Sequence, residues 1–209
     1  MVTLPKPPRT RCERCLRPVS HCLCAHIPAL SSRTQVLVLQ HPDESRHPLN
    51  TARLAVLGLQ GAELWEGECF PQLPERVAAA QQAVLLFPAT GDTPSMAASS
   101  VSPASPEAST LLIVPDGTWR KARRIVRANP ALETLPRLAL PPGEPSAYRV
   151  RKALEPAAVS TIEAIVRALT LLEPQQDFRP LLRPFNVLIE QQIQAMGPEV
   201  YRRNHAGAE

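Results

Sequence analysis

The chain has 209 residues, 44% of them hydrophobic and 20% charged, which is the composition of a globular domain and excludes a wholly disordered chain. No run of about 18 apolar residues occurs, so a membrane-spanning helix is excluded, and residues 1–30 hold no apolar stretch suited to a secretory leader. The net charge is +4, yet 20 of the 23 cations are arginine, and residues 1–24 set Lys6, Arg9, Arg11, Arg14 and Arg17 against Glu13. Guanidinium groups fork onto phosphate oxygens, so a surface for a polyanion is one reading of this bias. Codon bias is the other, and composition does not choose between them.

Residues 12–24 read Cys-x2-Cys-x6-Cys-x-Cys. A Cys-x2-Cys turn aims two thiolates at one ion, and zinc takes four such ligands, so Cys12, Cys15, Cys22 and Cys24 are the expected structural zinc site. His21 and His26 are possible substitutes in the weaker half. The competing readings are disulfides or free thiols, and the reducing cytoplasm expected for a chain without a leader disfavours disulfides. Cys69 stands alone and is expected to be an ordinary core or loop residue. This segment gives a small module over residues 1–30, ahead of a larger domain over 31–209.

Gln35–Gln40 is an apolar run of strand length that ends at His41-Pro42. Asn50–Leu59 has helical spacing, Ala62–Trp65 reads as a strand, Leu73–Gln82 as a helix and Ala83–Phe87 as a buried strand. Residues 89–109 are mostly Ser, Ala and Pro, and predict a mobile loop with no element of its own. Thr110–Val114 is a buried strand stopped by Pro115, and Gly117–Asn129 a helix. Arg137–Leu140 is a short strand. Ser160–Leu172 places Ile162, Ile165, Val166, Leu169 and Leu172 on one helical face, and a last helix covers Pro184–Met196. Strands alternating with helices predict an α/β fold with a mostly parallel sheet.

Asp116-Gly117-Thr118-Trp119 falls between a buried strand and a helix, at a strand's carboxyl end, where α/β proteins bind ligands. The bland alternative makes Asp116 the helix N-cap and Trp119 a core residue. Arg120, Arg123, Arg124 and Arg127 share an arc of about 100° on the following helix, and no acid lies between Gly117 and Asn129. That stripe is a candidate track for an anionic polymer, with a solvated basic face as its alternative. His41 with Glu44, and Asn50 with Thr51, flank the first strand. His41 by itself reads as a loop histidine. Ser160-x-x-Glu163 fits a capping box, which leaves Thr161 and Arg149 unexplained.

Taken together, these motifs resemble the DTW-domain family across almost the whole chain. The carriers are Cys12 to Cys24, His41-Pro42-x-Glu44, Asn50-Thr51, Leu86-Phe87-Pro88, Pro115 to Trp119, Arg149, and Val159 to Ala164. Val159 and Ile162 stand where the family usually has leucines, a change without chemical consequence. The resemblance implies a SPOUT-like α/β domain with a C-terminal trefoil knot. It implies a tRNA-uridine aminocarboxypropyltransferase that moves the 3-amino-3-carboxypropyl group of S-adenosylmethionine to N3 of a uridine in tRNA. It also implies Asp116 as the base or the holder of the uracil edge. Phe87, Pro88, Pro115, Gly117, Thr118, Ser160 and Thr161 would lie at the S-adenosylmethionine pocket. His41, Glu44, Asn50, Thr51, Trp119, Arg120, Arg123, Arg124 and Arg149 would contact substrate, with Arg149 on the donor carboxylate or an RNA phosphate. The partner is tRNA, no membrane is involved, and the chain is expected to be a cytoplasmic monomer. A methyltransferase of related fold and a non-catalytic zinc-containing RNA-binding protein are the alternatives.

Overall fold

A computed structural model describes residues 10–88, 95–96, 109–141, 146 and 159–205. Six strands, β1 (Gln35–Gln40), β2 (Glu63–Glu66), β3 (Gln82–Leu86), β4 (Ser95–Met96), β5 (Thr110–Asp116) and β6 (Arg137–Leu138), form one sheet ordered β2-β1-β5-β3-β6-β4. All of its pairings are parallel. Such a sheet needs cover on both faces, which is why β1 and β5 are apolar at nearly every position. Val36, Val38, Leu112 and Val114 point to one face, into a core shared with α2 (Thr51–Gly58), α6 (Thr161–Leu172) and α7 (Arg183–Met196). Leu37, Leu39, Leu111 and Ile113 point to the other, towards α3 (Leu73–Ala78), α4 (Trp119–Ala128) and α5 (Pro130–Glu133). A short α1 (Pro42–Ser45) follows β1, and α8 (Pro198–His205) follows α7.

Local chemistry sets the helix ends. Ser160 and Glu163 form the capping box of α6, with the Ser160 amide donating to Glu163 Oε2 at 2.8 Å. At the other end of α6 the buried Glu173 carboxylate accepts from Ser32 Oγ at 2.7 Å and from the Thr34 amide at 2.8 Å, tying the helix to the entry of β1. A Cβ on Gly58 would sit 2.5 Å from Leu181 Cδ1, so a larger residue at the end of α2 would displace the Leu181 side chain.

The structure corrects several expectations. Pro115 does not stop β5, which runs on to Asp116. The register with β3 ends at Ile113, so Pro115 lies where, among the described residues, β5 pairs with β1 alone and a missing N–H is tolerated. Segment 89–109 is not without structure, because Ser95–Met96 pairs with β6 as β4, a two-residue strand too short to leave a sequence pattern. The helix expected to reach Gln82 ends at Ala78, and Gln82 opens β3. Helix Arg183–Met196 is not the last, since Pro198 starts α8 just after Gly197, whose φ is 79°.

Candidate active site at the carboxyl end of the sheet

β1 and β5 remain paired to their final residues, Gln40 and Asp116, both buried. The chain then turns away, and the His41 amide still donates to the Asp116 carbonyl at 3.0 Å. Asp116 is therefore the last residue of a strand and not a helix cap. Thr118 caps α4 instead, accepting from the Lys121 amide at 3.4 Å. Gly117 makes the corner between them, with φ at 153° and Lys121 Cβ 2.9 Å from where its own Cβ would lie.

Freed from capping, the Asp116 carboxylate receives two donors from other elements among the described residues. Gln40 Nε2 donates to Oδ2 at 2.8 Å, and the Thr161 hydroxyl donates to Oδ1. Gln40 is in turn paired amide to amide with Asn50, each nitrogen 3.2 Å from the other's oxygen. Asn50 caps α2 by accepting from the Arg53 amide at 3.0 Å. The sheet end and the starts of α2 and α6 thus meet on one carboxylate, with α4 beginning three residues beyond it. Gln40 was missed by sequence reasoning. Its signal was a polar residue closing a strand that is apolar between its two ends. Thr51 is buried in the first turn of α2, and Arg53 Nε is buried with no hydrogen-bond partner among the described residues.

Around this cluster the charged residues are largely engaged. His41 is 4% exposed, not a free loop side chain, and its Nε2 lies 2.8 Å from Glu68 Oε1. Glu44 holds Lys121 at 2.8 Å, and Asp43 lies 3.3 Å from the same ammonium. The hydrogen bond from Lys121 to Glu44 raises the lysine pKa above its ordinary value. Arg124 pairs with Glu68 at 2.9 Å and holds that carboxylate below the usual range. The stripe on α4 is therefore not wholly unneutralised, because an acid distant in sequence reaches it. Arg120, Arg123 and Arg127 are exposed and have no acidic partner among the described residues.

Phe87 and Pro88 follow β3 at the same end of the sheet. Arg137 lies over the Phe87 ring, 5.5 Å from its centroid, and donates to the Pro88 carbonyl at 3.1 Å. Trp119 meets Phe87 edge-on at 5.8 Å and stays 45% exposed, which corrects the core reading of this residue. It falls at the first position of α4, beside the strand end. Ser160 is buried, and its hydroxyl donates to Glu163 at 2.6 Å. Arg149 lies outside the described residues.

The cysteine segment folds as a hairpin. Leu16, at φ 59°, closes a turn in which the Cys12 carbonyl accepts from the Leu16 amide at 2.8 Å. Cys12 and Cys24 sulfurs lie 3.6 Å apart, those of Cys15 and Cys22 3.7 Å, and all four within 4.8 Å of one another, a set that could hold a metal ion. Arg17 is not spare positive charge. Its guanidinium donates to the carbonyls of His21 at 3.0 Å and Pro48 at 2.8 Å, and to Gln191 at 3.3 Å. Leu23 is fully buried in the core beneath α2 and α7.

The DTW domain matches residues 9–193 of the chain. A tRNA-uridine aminocarboxypropyltransferase 2 of Drosophila melanogaster is 32% identical over 198 residues, covering 88% of this chain and 76% of that protein. The protein of the same name in Macaca fascicularis is 31% identical, over 89% of this chain and 64% of its own length. A tRNA-uridine aminocarboxypropyltransferase A of Arabidopsis thaliana is 28% identical, over 79% of this chain and 74% of its own. The chain thus spans roughly two thirds to three quarters of these relatives. No solved structure matches it.

Proposed function

From the premise that the chain belongs to the DTW-domain family, we propose that it is a tRNA-uridine aminocarboxypropyltransferase with S-adenosylmethionine as donor. The observation that carries this reading is the Asp116 carboxylate, fixed by two donors at the carboxyl end of an internal parallel strand. In the reaction the uridine N3 forms a bond to the donor's γ-carbon, the carbon–sulfur bond breaks with its electron pair going to sulfur, and methylthioadenosine leaves. The N3 proton must go as the bond forms, because protonated N3 is a poor nucleophile. Asp116 accepts that proton or the hydrogen bond from N3–H, and its fixed position favours in-line approach.

Phe87, Pro88, Pro115, Gly117, Thr118 and Thr161 surround this strand end and form the donor side of the site. Ser160 serves it as the cap that sets Thr161. Trp119, exposed and backed by Phe87, offers a face on which a base can stack. His41, Glu44, Asn50 and Thr51 shape the acceptor side from α1 and α2. Arg53, with its buried and unpartnered Nε, is a second cation beside Arg149 for the donor carboxylate. Arg120, Arg123 and Arg127 hold the tRNA backbone, with Arg124 shared with Glu68.

The cysteine hairpin is read as a zinc module over residues 1–30, docked on the catalytic domain of residues 31–209. Zinc–sulfur bonds of ~2.3 Å in a tetrahedron place sulfurs ~3.8 Å apart. The 3.6 Å and 3.7 Å separations support that ion. The ion would staple the hairpin and have no part in the transfer. The reading includes a SPOUT-like C-terminal trefoil knot, as the family resemblance implies. The reading includes a monomer acting in the cytoplasm, and no helix among the described residues is long and apolar enough to cross a membrane.

Nucleoside mass spectrometry of tRNA incubated with the protein and S-adenosylmethionine tests the function. An added aminocarboxypropyl group on uridine is expected. A methyl group would make the protein a methyltransferase, and no added mass without S-adenosylmethionine binding would leave an RNA-binding protein.

A further inference from the structure

Of the polar groups gathered at the end of the sheet, Gln40 is the most deeply placed, with no exposed surface. Burying an amide is costly unless its donors and acceptor are all matched, and here they are. Its nitrogen faces Asp116 Oδ2 at 2.8 Å and Asn50 Oδ1 at 3.2 Å, while its oxygen takes the Asn50 Nδ2 hydrogen at 3.2 Å. The amide orientations follow from chemistry. Asn50 must turn its oxygen to the Arg53 amide to cap α2, and its nitrogen also donates to the Glu44 carbonyl at 3.1 Å. An ionised carboxylate only accepts, so Gln40 must turn its nitrogen to Asp116.

We propose that Gln40 is the positioning residue of Asp116: its N–H fixes one carboxylate oxygen, and Asn50, paired to it amide to amide, keeps that N–H aimed. This deepens the proposed transferase function and rests on it, since it assigns how the reacting carboxylate is held. With Thr161 on the other oxygen, rotation of the carboxylate about its side-chain bonds is blocked at both ends.

Other titratable groups on the neighbouring elements have partners elsewhere. His41 lies against Glu68, and Asp43 and Glu44 hold Lys121 of α4. Glu163 of α6 takes hydrogens from Ser160 and Ser146. Among the described residues, Arg53 of α2, Arg120 of α4 and Arg137 of β6 are further cations on elements that reach this end of the sheet. None of these is joined to Gln40 by a hydrogen bond, so a change at Gln40 reaches Asp116 directly.

The test uses the full chain, tRNA and S-adenosylmethionine, together with 13C NMR titration of the Asp116 carboxyl in protein without substrates. Gln40→Leu is expected to lower kcat by ~100-fold with KM for both substrates within a few-fold. It should also raise the Asp116 titration, and with it the acid limb of kcat, by about one pH unit. Gln40→Glu, nearly isosteric, should regain activity towards low pH, where its protonated carboxyl can donate to Asp116. It carries the same test should the leucine variant fail to fold. A fall in kcat with the carboxyl titration and acid limb unmoved overturns the proposal, as does a flat pH profile for Gln40→Glu. Asp116→Asn separates the layers. If the unmutated protein makes no product, the transferase reading fails; if it makes product and Asp116→Asn still transfers, Asp116 is not the reacting group and its positioning by Gln40 has no catalytic role, while the NMR shift still reports whether Gln40 holds the carboxylate.

Discussion

Two regions of this molecule crowd polar side chains together, and they are completed in different ways. At the carboxyl end of the sheet, Asp116, Gln40 and Asn50 find their partners within the chain, from β1, α2 and α6. In the cysteine hairpin four thiols lie within 4.8 Å with chiefly one another for company. The amides of Cys15 and Arg14 pull the Cys12 thiol down to about 6, whereas burial and the neighbouring sulfurs push Cys24 up to about 12. Four sulfurs gathered so closely are a set that could hold a metal ion. The first region is organised before any ligand arrives. The second, on the proposed reading, is finished by one.

The largest expected effect falls on the self-contained region. Asp116→Asn should lower the transfer rate by ~1000-fold, the scale of losing a positioned general base. It should leave the melting temperature nearly unchanged, because Thr161 can rotate its hydroxyl to accept from the new amide while the remaining oxygen keeps the Gln40 hydrogen. Single-turnover transfer to tRNA and thermal unfolding measure the two halves. A large loss of stability with activity retained would make Asp116 a structural carboxylate and erase the contrast.

That contrast was half legible in the sequence. Cysteine spacing announces itself, since Cys-x2-Cys turns are local and each ligand lies near the next. The apolar strands and the faces of α4, α6 and α7 were equally readable, because periodicity records burial. Asp116 was found as a candidate but given a cap as its bland role. Only the structure shows that Thr118 takes that role and leaves the carboxylate to Gln40 and Thr161. Gln40 and Thr161 lie 121 positions apart in the sequence, and no local pattern relates them. The Arg124–Glu68 pair escaped for the same reason, as did the structural use of Arg17 on Pro48 and Gln191.

Metal removal addresses the other region. Chelation, or Cys15→Ser, should release the hairpin and lower the melting temperature by about 10 °C, the consequence of losing a few kcal/mol of metal-linked stability in a chain of this size. Calorimetric binding of S-adenosylmethionine should weaken only a few-fold, because the cluster around Asp116 contains no cysteine. An equal collapse of donor binding would show that the Arg17–Pro48 hydrogen bond makes the two regions one.

A smaller effect is expected on α4. Replacing Arg120, Arg123 and Arg127 by glutamine should weaken tRNA binding and flatten the slope of log affinity against log salt by roughly 2 to 3, one counterion for each phosphate contact. Arg124→Gln should change that slope less, since Glu68 already neutralises it. Equal slopes for all four single variants would remove the distinction between engaged and free arginines.

Glu173 offers the smallest effect and checks the premise that a buried carboxylate can be satisfied by the chain alone. Burial acts to raise its pKa, but hydrogen bonds from Ser32, Thr34 and the Arg33 amide outweigh this and hold it below the ordinary value. A carboxylate with a depressed folded-state pKa contributes stability above its unfolded value of ~4.3, and loses it as pH falls through the folded one. Glu173→Gln should therefore cost about 2 kcal/mol at neutral pH, the scale of hydrogen bonds to a charged acceptor. The gap from the unmutated protein should narrow below pH ~4 as the native carboxylate takes up its proton. Denaturant unfolding at neutral and acid pH measures both. A gap that persists undiminished in acid would mean that shape at the end of α6, and not charge, is what Glu173 supplies, and would weaken the same reasoning at Asp116.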